Sequence, residues 1–497
     1  MTEPGSLRAS YLSIDRRLLG LFRIYLGVVL LGDLGRRLPE LALFYSDEGV
    51  LPSHLSLFAP LASPNFSLLH AFTSPGEVSF AFVLFACVYL ALVAGFHTKL
   101  AQILALLVWT SLGARNLFLE NSGNAAMAAL LVWTTFLPLG DRYSVDAWRK
   151  ARRGEPEGET AFTSLAVLAL ALQIAAIYLL NAVQKSGATW RAGEAVHDVL
   201  WQHRLTTSAA GVLRLHEPAW LSPALSWFTL VIEWSAPLLV LSPLRTGATR
   251  TLHFVLTTAL HLGIALLFSV GVFSWAMIGF NLLLLPPAAV DVLLRRAPFF
   301  ARLARTSVAP SLPPPIRSPF FEHVHRWGRA LREMAVLLVL VTIGAQITQD
   351  NAVVPTWLRV SPPFPTPVRY LRLIQGWNQF APEAPRHDGT FVVDARTESG
   401  RHIDPLTGAP PDFDVLLRGP GAMSQLRCEY FYHVRREPFA RYRDALARWL
   451  LDWHRREGLA ASERIVALDV WWVSADAPPP GETTPRNLRK TQILHHP

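Results

Sequence analysis

The chain has 497 residues, of which 51% are hydrophobic and only 17% are charged, and its mean hydropathy is +0.28. These values exclude an ordinary soluble protein of this length and indicate a protein with several membrane spans. The net charge of +9 does not indicate nucleic-acid binding, because Lys and Arg collect in the cytoplasmic loops of membrane proteins. No nucleic-acid partner is therefore expected.

Nine apolar segments are predicted to cross a bilayer, which takes about 20 residues in a helix. They lie at residues 18–35, 77–96, 99–117, 124–140, 161–184, 223–244, 250–269, 271–290 and 333–349. No small-residue cleavage site follows the first segment, so it is predicted to be a membrane helix and not a removable signal. The sequence predicts a polytopic α-helical membrane bundle of about nine spans.

Lys and Arg are distributed unequally between alternate connections of these spans. Nineteen lie on the side of the N-terminus and seven on the opposite side. By the positive-inside rule the N-terminus is expected in the cytoplasm, and nine spans then place the C-terminal residues outside.

The remaining segments differ in composition from the spans. Proline and arginine recur in residues 297–332, which are predicted to be a cytoplasmic linker between a membrane domain, residues 1–296, and the last helix. Residues 350–497 have the composition of a soluble domain on the outer face. Alternating patterns predict strands at 390–395, 429–434 and 466–472, and helical spacing recurs between 439 and 453, so we expect a mostly-β α+β extramembrane domain.

Five ionisable residues lie inside predicted spans, where charge is costly and often marks a site: Arg23, Asp33, Glu233, His253 and His261. Glu233 and His261 each lie about eleven residues into neighbouring helices, which is a depth of roughly 16 Å, so we expect them to meet near the midplane. Two interpretations stay open. The two side chains either satisfy each other as a structural pair or line a site.

Lys185 ends the fifth predicted span, in a stretch, 173–204, that is dense in polar and aromatic residues. A lysine at a helix end commonly extends to the lipid headgroups, and that interpretation is one alternative. Asn181 precedes it by one turn, however, and Trp190 follows it without a run of solvent-type residues. That pattern suits a partly buried amine, whose pKa falls by desolvation until it can act as a base.

No metal site is predicted. His197, His203 and His216 are spaced by six and thirteen residues, which fits no metal-ligand helix motif. Cys87 lies in an apolar run and Cys428 in the polar C-terminal third, so neither a thiolate metal site nor an intrachain disulfide is expected.

Residues 178–193 resemble the catalytic-lysine segment of vitamin K-dependent gamma-glutamyl carboxylase and of its bacterial relatives, the horizontally transferred transmembrane (HTTM) domain proteins. Further stretches agree in order along the chain: 21–24 with Asp33, 44–52, 136–146, 261–274 and 375–382. The resemblance covers residues from about 15 to 475. It implies an integral protein of a bacterial inner membrane.

In the carboxylase a lysine deprotonates reduced vitamin K, and the oxygenated quinone removes a proton from a glutamate side chain that then takes up carbon dioxide. The resemblance implies that Lys185 is the base and that His261 corresponds to the family's membrane histidine. It also implies a reduced quinone as cofactor, contacted by Asn181, Trp190 and Glu233. A peptide or protein substrate is then expected at the outer domain.

One stretch departs from the carboxylases. They carry a histidine after the third span, whereas residues 120–124 of this chain read Glu-Asn-Ser-Gly-Asn. The alternative to an enzyme is a non-catalytic membrane protein that binds a lipid or a partner through its outer domain, with Lys185 reaching to the headgroups.

Overall fold

The structure is a computed structural model that describes residues 7–58, 65–155, 158–296, 319–418 and 423–497. The longer helices are α1 (Arg16–Arg37), α2 (Pro75–Ala94), α3 (Thr98–Arg115), α4 (Ser122–Thr134), α5 (Leu165–Gln184), α6 (Leu221–Leu241), α7 (Thr246–Leu267), α8 (Phe273–Leu282), α9 (Pro287–Arg296), α10 (Pro319–Asp350), α11 (Gln425–Val434) and α12 (Arg443–Leu451). The strands are β1 (Ser13–Asp15), β2 (Ala161–Thr163), β3 (His387–Thr397), β4 (His402–Ile403), β5 (Ile465–Asp476) and β6 (Arg486–His496). Shorter helices include Leu7–Leu12, Leu41–Tyr45, Ser53–Phe58, Val145–Arg152, Ala188–Ala192, Ala195–Leu200, Ser208–Leu215, Pro365–Tyr370 and Trp453–Arg456.

Six helices of the described residues are long and apolar enough to cross a membrane: α1 with its continuation to Tyr45, then α2, α5, α6, α7 and α10. A seventh span results if α8 and α9, which are bent by 111° relative to each other, form one broken span. The protein is thus an integral membrane helix bundle, but the predicted count of nine spans is not confirmed.

The helix α4 shows why the apolar pattern alone does not determine the number of spans. Its 13 residues are about 20 Å long at 1.5 Å per residue, which is less than the ~30 Å of a bilayer core. Its residues from Gly123 to Thr134 are all buried by protein. A helix that is surrounded by other helices is apolar on every side, as a lipid-facing span is, so hydropathy alone does not separate the two cases.

The loops gather at two opposite ends of the bundle. At the end where α1 begins, β1 pairs with β2, and Arg17 forms an ion pair with Asp291. At the other end of α1, Arg36 donates to Gln425 and Glu40 pairs with Arg427, both in the C-terminal domain. The N-terminal segment and the C-terminal domain therefore lie at opposite ends of the bundle.

A thiol-labelling experiment tests which end of the helix bundle faces the cytoplasm. We expect an impermeant maleimide to label a Cys87→Ser, Glu457→Cys variant in intact cells, because the distribution of Lys and Arg predicts that the C-terminal domain lies outside. A Cys87→Ser, Glu155→Cys variant should react only after permeabilisation. The native Cys428 gives little background, since burial raises the pKa of its thiol to about 12. The reverse labelling pattern means an inverted topology.

The last membrane helix is longer than predicted. It begins at Pro319, so residues 319–332 of the predicted linker are its first turns. Proline is compatible with the first turn of a helix, and no proline follows in α10. The other residues of the predicted linker, 297–318, lie outside the described residues.

The C-terminal domain contains a four-stranded antiparallel sheet in the order β4-β3-β5-β6. The predicted strands at 390–395 and 466–472 are confirmed as parts of β3 and β5, and the helical spacing between 439 and 453 is confirmed by α12 and its flanking turns. The predicted strand at 429–434 is wrong, because those residues belong to α11. Aromatic residues are common in strands, but in this segment Tyr430 and Val434 lie one helical turn apart and are both buried.

Buried amides join this domain to the membrane bundle. Gln184 of α5 donates to Asn351 at 3.1 Å and to the Trp377 carbonyl at 2.7 Å. Gln173 donates to Gln375 at 2.9 Å, and Asn351 donates to the Gln375 carbonyl at 2.8 Å. The stretch 375–377, quoted above for its resemblance, thus holds the C-terminal chain against α5.

Replacing Asn351 with leucine should weaken this junction. Asn351 is fully buried, and it accepts a hydrogen bond from the Trp377 N–H besides donating to Gln375. Buried groups left without a partner cost about 1–3 kcal/mol each, so we expect the free energy of unfolding to fall by roughly 3 kcal/mol. Denaturant titration in detergent measures it. Gln492→Leu is the control, since Gln492 makes one exposed hydrogen bond and its loss should change stability by less than about 1 kcal/mol.

Candidate functional site

The site begins where α5 ends. Ser164 caps the N-terminus of α5 by accepting from Ala166, and the helix ends at Lys185, whose φ of −78° and ψ of 61° leave the helical region. At the turn that follows, Gly187 lies so close to Glu383 of the C-terminal domain that a Cβ atom would be 2.1 Å from its carboxyl carbon. A side chain at position 187 would therefore displace the Glu383 carboxylate, which accepts hydrogen bonds from the Ala188 N–H and from the N–H and hydroxyl of Thr189.

Lys185 and Glu233 form a buried ion pair between α5 and α6. The Lys185 Nζ atom lies 2.5 and 2.7 Å from the two carboxylate oxygens of Glu233, and the two side chains are 3% and 6% exposed. Asn181 donates to the same carboxylate at 2.7 Å. The amine therefore points into the protein and does not extend along the helix axis to the headgroup region.

Trp190 covers the amine from the other side. Its ring centroid is 4.8 Å from Lys185 Nζ, a distance at which a cation–π interaction is favourable. The indole N–H donates to the Phe380 carbonyl at 2.8 Å, which fixes the ring. Lys185 is thus enclosed by a carboxylate and an aromatic face.

The expected meeting of Glu233 and His261 does not occur. His261 Nε2 lies 2.8 Å from the Tyr178 hydroxyl, whereas Glu233 is bonded by Lys185 and Asn181. Equal depth in neighbouring helices does not guarantee contact. The longer lysine side chain reaches the carboxylate and neutralises its charge, which a neutral imidazole would not do.

All five predicted site residues line one cavity of about 590 Å³: Asn181, Lys185, Trp190, Glu233 and His261. Small-molecule sites commonly have volumes of ~300–1,000 Å³. Apolar residues of α5, α7 and α8 form much of the remaining wall, including Ile177, Leu260, Ile264, Phe273 and Met277.

Four buried polar atoms of the lining residues have no hydrogen-bond partner among the described residues. They are Arg204 Nε, Gln379 Nε2 and, on the membrane helices α5 and α7, Asn181 Oδ1 and His261 Nδ1. An unpaired buried polar atom costs free energy, so such atoms indicate where a ligand or water binds. A ligand that donates to Asn181 and accepts from His261 would satisfy both atoms.

Other lining residues were not predicted from the sequence. Tyr178 stands three residues before Asn181 and seven before Lys185, so helical spacing alone places the three on one face of α5. The C-terminal domain contributes Glu429 and His433 of α11. The sequence pattern did not identify Glu429 and His433 as site residues, because their segment was predicted to be a strand.

The loop that lacks the family histidine also lines the cavity, through Glu120, Asn121, Ser122 and Gly123. His433 lines the same wall, and its Nδ1 lies 2.8 Å from the Glu429 carbonyl. A second cavity of about 380 Å³ shares Glu120, Asn121, Ser122 and His433 with the first and extends to Arg372 and Arg436. The two cavities therefore adjoin at this loop.

In the part of the chain that the structure describes, no group of three His, Cys, Asp or Glu side chains is arranged to bind a metal ion. His197 instead joins two segments outside the helix bundle. Its Nδ1 lies 2.7 Å from Glu217 and its Nε2 lies 2.8 Å from the Pro478 carbonyl.

These features define an integral membrane protein with a ligand-sized internal cavity that is closed on one side by an extramembrane domain. The HTTM domain model matches residues 11–288, which is more than half of the chain, and the protein belongs to the HTTM family. No curated protein and no solved structure matches the chain.

Proposed function

We propose that this protein is a quinol-dependent enzyme in which Lys185 is the base. The observation that carries the proposal is the enclosed Lys185 amine, which lies in a ligand-sized cavity beside two unpaired polar atoms, Asn181 Oδ1 and His261 Nδ1. A planar quinol with oxygens on opposite sides of its ring suits an acceptor and a donor that belong to different helices.

Different residues of the cavity contact the ring and the oxygens of such a ligand in this proposal. Ile177, Ile264 and Phe273 offer an apolar surface to the ring, while Asn181 accepts from one hydroxyl and His261 donates to the opposite oxygen. A bound quinol supplies an acidic ring hydroxyl and the reducing equivalents for dioxygen.

Glu233 makes a neutral amine accessible at Lys185. Burial disfavours both charges of the pair, so transfer of one proton from Nζ to the carboxylate costs far less here than in water. The neutral amine then takes a proton from the ligand hydroxyl, breaking one O–H bond and forming one N–H bond. The ammonium that results lies over the face of Trp190 and donates to the carbonyl oxygen of Glu233, which stays protonated in this step.

The second substrate enters from the C-terminal domain in this proposal. The adjoining cavity of about 380 Å³ leads from Arg372 and Arg436 to the loop at 120–122 and His433. A peptide side chain that extends through this adjoining cavity reaches the wall of the quinol cavity on the side of the C-terminal domain. We therefore propose a peptide or protein as the substrate that this domain presents.

The experiment uses the protein in lipid nanodiscs. Mass spectrometry of the protein extracted with native lipid should find a co-purifying quinone, and added 1,4-naphthoquinol should drive dioxygen uptake and incorporation of labelled bicarbonate into a glutamate-rich peptide. Lys185→Ala should remove both activities. Dioxygen uptake that Lys185→Ala retains in full contradicts the proposal.

A second function is favoured by one observation, which is that the Lys185–Glu233 pair is already satisfied without a ligand. A non-catalytic protein that binds lipid or a partner needs no free base at this position. Under that alternative, naphthoquinol does not raise the melting temperature of the protein, and Lys185→Ala leaves lipid binding unchanged.

A further inference from the structure

Four buried side chains form one hydrogen-bonded series beneath the cavity. His253 Nε2 lies 2.9 Å from Asn281 Oδ1, Asn281 Nδ2 lies 2.9 Å from the Tyr178 hydroxyl, and that hydroxyl lies 2.8 Å from His261 Nε2. Each of the four is at most 3% exposed. They come from α5, α7 and α8, so the series joins three helices around one end of the cavity.

If every donor in this series has an acceptor within it, its hydrogen bonds all run in one direction. In the first arrangement, His253 donates to Asn281, Asn281 donates to Tyr178, and Tyr178 donates to His261 Nε2. The His261 ring proton is then on Nδ1. In the reverse arrangement the Asn281 amide is flipped, every bond runs the other way, and His261 Nδ1 carries a lone pair.

His253 decides between the two arrangements. Its Nδ1 is buried away from the cavity and has no hydrogen-bond partner among the described residues. The first arrangement leaves a lone pair there, whereas the reverse leaves an N–H group. An orphaned N–H donor is rarer in protein interiors than an under-satisfied acceptor, which favours the first arrangement at His253. The N–H group that this arrangement leaves on His261 Nδ1 faces the cavity, where water or a ligand can accept from it.

Thr257 does not alter this conclusion. Its hydroxyl donates to the His253 carbonyl at 2.7 Å, so its proton is not available to Tyr178. Thr257 Oγ1 can still accept, but the Tyr178 hydroxyl forms its hydrogen bonds with Asn281 Nδ2 and His261 Nε2 and not with Thr257. Asn281 Nδ2 can only donate, so the Tyr178 proton goes to His261 Nε2.

We infer that His253, Asn281 and Tyr178 are positioning residues that hold the ring proton of His261 on Nδ1, so that the cavity ligand must present an acceptor oxygen to His261. Nε2 is occupied by Tyr178, which leaves Nδ1 as the ring nitrogen for a ligand. The ligand accepts at His261 and donates at Asn181 Oδ1, so it carries two oxygens of opposite hydrogen-bonding character. The identification of this ligand as a quinol rests on the proposed function, whereas the proton position on His261 does not.

The test is nitrogen NMR of the protein labelled with [15N]histidine in lipid bilayers without quinone, where the ring nitrogens of His261 are assigned by difference from His261→Gln. We expect a protonated Nδ1 and an unprotonated Nε2. A proton on Nε2, or on both nitrogens, overturns the inference. This result needs only the wild-type protein and His261→Gln, so it does not depend on the folding of the other variants.

Two variants should release the proton from Nδ1. Asn281→Leu removes the donor to Tyr178, and Tyr178→Phe removes the donor to His261, so a signal from protonated Nε2 should appear in both. Thr257→Val is the matched control and should keep the wild-type pattern. A merely structural role for Asn281 lowers stability without moving the proton, so an unchanged spectrum in both variants also overturns the inference.

Binding separates this inference from the proposed function. Loss of one well-placed donor should raise the Kd of 1,4-naphthoquinol, kept reduced, roughly tenfold in Asn281→Leu and leave it unchanged in Thr257→Val. If the proton moves as expected while the Kd of naphthoquinol stays constant, the positioning of His261 stands and the quinol as its ligand is contradicted.

Discussion

Replacing Lys185 with methionine should abolish quinol-dependent turnover and also lower the free energy of unfolding by about 3–5 kcal/mol. The loss of stability arises because Glu233 would keep a buried charge without a counter-ion. Methionine preserves the length and apolar stem of lysine, so little of the loss comes from packing. Equilibrium unfolding in detergent and dioxygen uptake in nanodiscs measure the two effects.

The double variant Lys185→Met, Glu233→Gln distinguishes a catalytic lysine from a structural one. A neutral glutamine removes the unpaired charge, and Asn181 stays near enough to bond its side-chain carbonyl. We therefore expect most of the lost stability to return while turnover stays absent. If turnover returns together with stability, Lys185 acts only as a structural partner of Glu233.

Replacing Asp33 with leucine should destabilise the protein by a similar amount, about 3–5 kcal/mol, without changing the cavity. Asp33 lies in α1 and accepts hydrogen bonds at 2.6 Å from both Arg36 and Arg37. Arg37 is fully buried and also donates to the Tyr45 hydroxyl at 2.5 Å. Without Asp33, its guanidinium loses its counter-ion inside the bundle.

Two controls define this second experiment. Asp33→Leu, Arg37→Met removes both charges and should recover most of the stability, as replacement of a buried ion pair by apolar residues often does. Asp452→Leu breaks a single exposed pair with Arg455 and should cost less than about 1 kcal/mol. Naphthoquinone binding by the folded fraction should be unchanged, since Asp33 does not line the cavity. A stability loss below 1 kcal/mol in Asp33→Leu contradicts the role given to this pair.

The position of His433 is relevant to residues 120–124, where this chain lacks the histidine of the carboxylases. Where the carboxylases have a histidine, this chain has none, but an imidazole from α11 lines the same wall of the cavity. Its Nδ1 is engaged with the Glu429 carbonyl, which leaves Nε2 as the nitrogen for other partners. The chain therefore retains an imidazole at this wall from a distant part of its sequence.

The sequence by itself determined the membrane class, the family and the face of α5 that carries the site. Apolar runs and helical spacing are local properties, so they place Tyr178, Asn181 and Lys185 on one side of one helix. The same local patterns also led to errors. They do not distinguish a helix buried in protein, such as α4, from one that faces lipid, and they misassigned residues 429–434.

Only the tertiary structure decided which polar groups meet. Glu233 is 48 residues from Lys185, and its partner was set by the rotation and depth of α5 and α6, which no local pattern encodes. The pairing of His261 with Tyr178 and the arrival of His433 from the C-terminal domain depend on packing in the same way. The physical reason is that the periodic pattern of buried residues depends on the spacing within one helix. Buried charges and hydrogen-bonding groups are paired between helices that are distant in sequence.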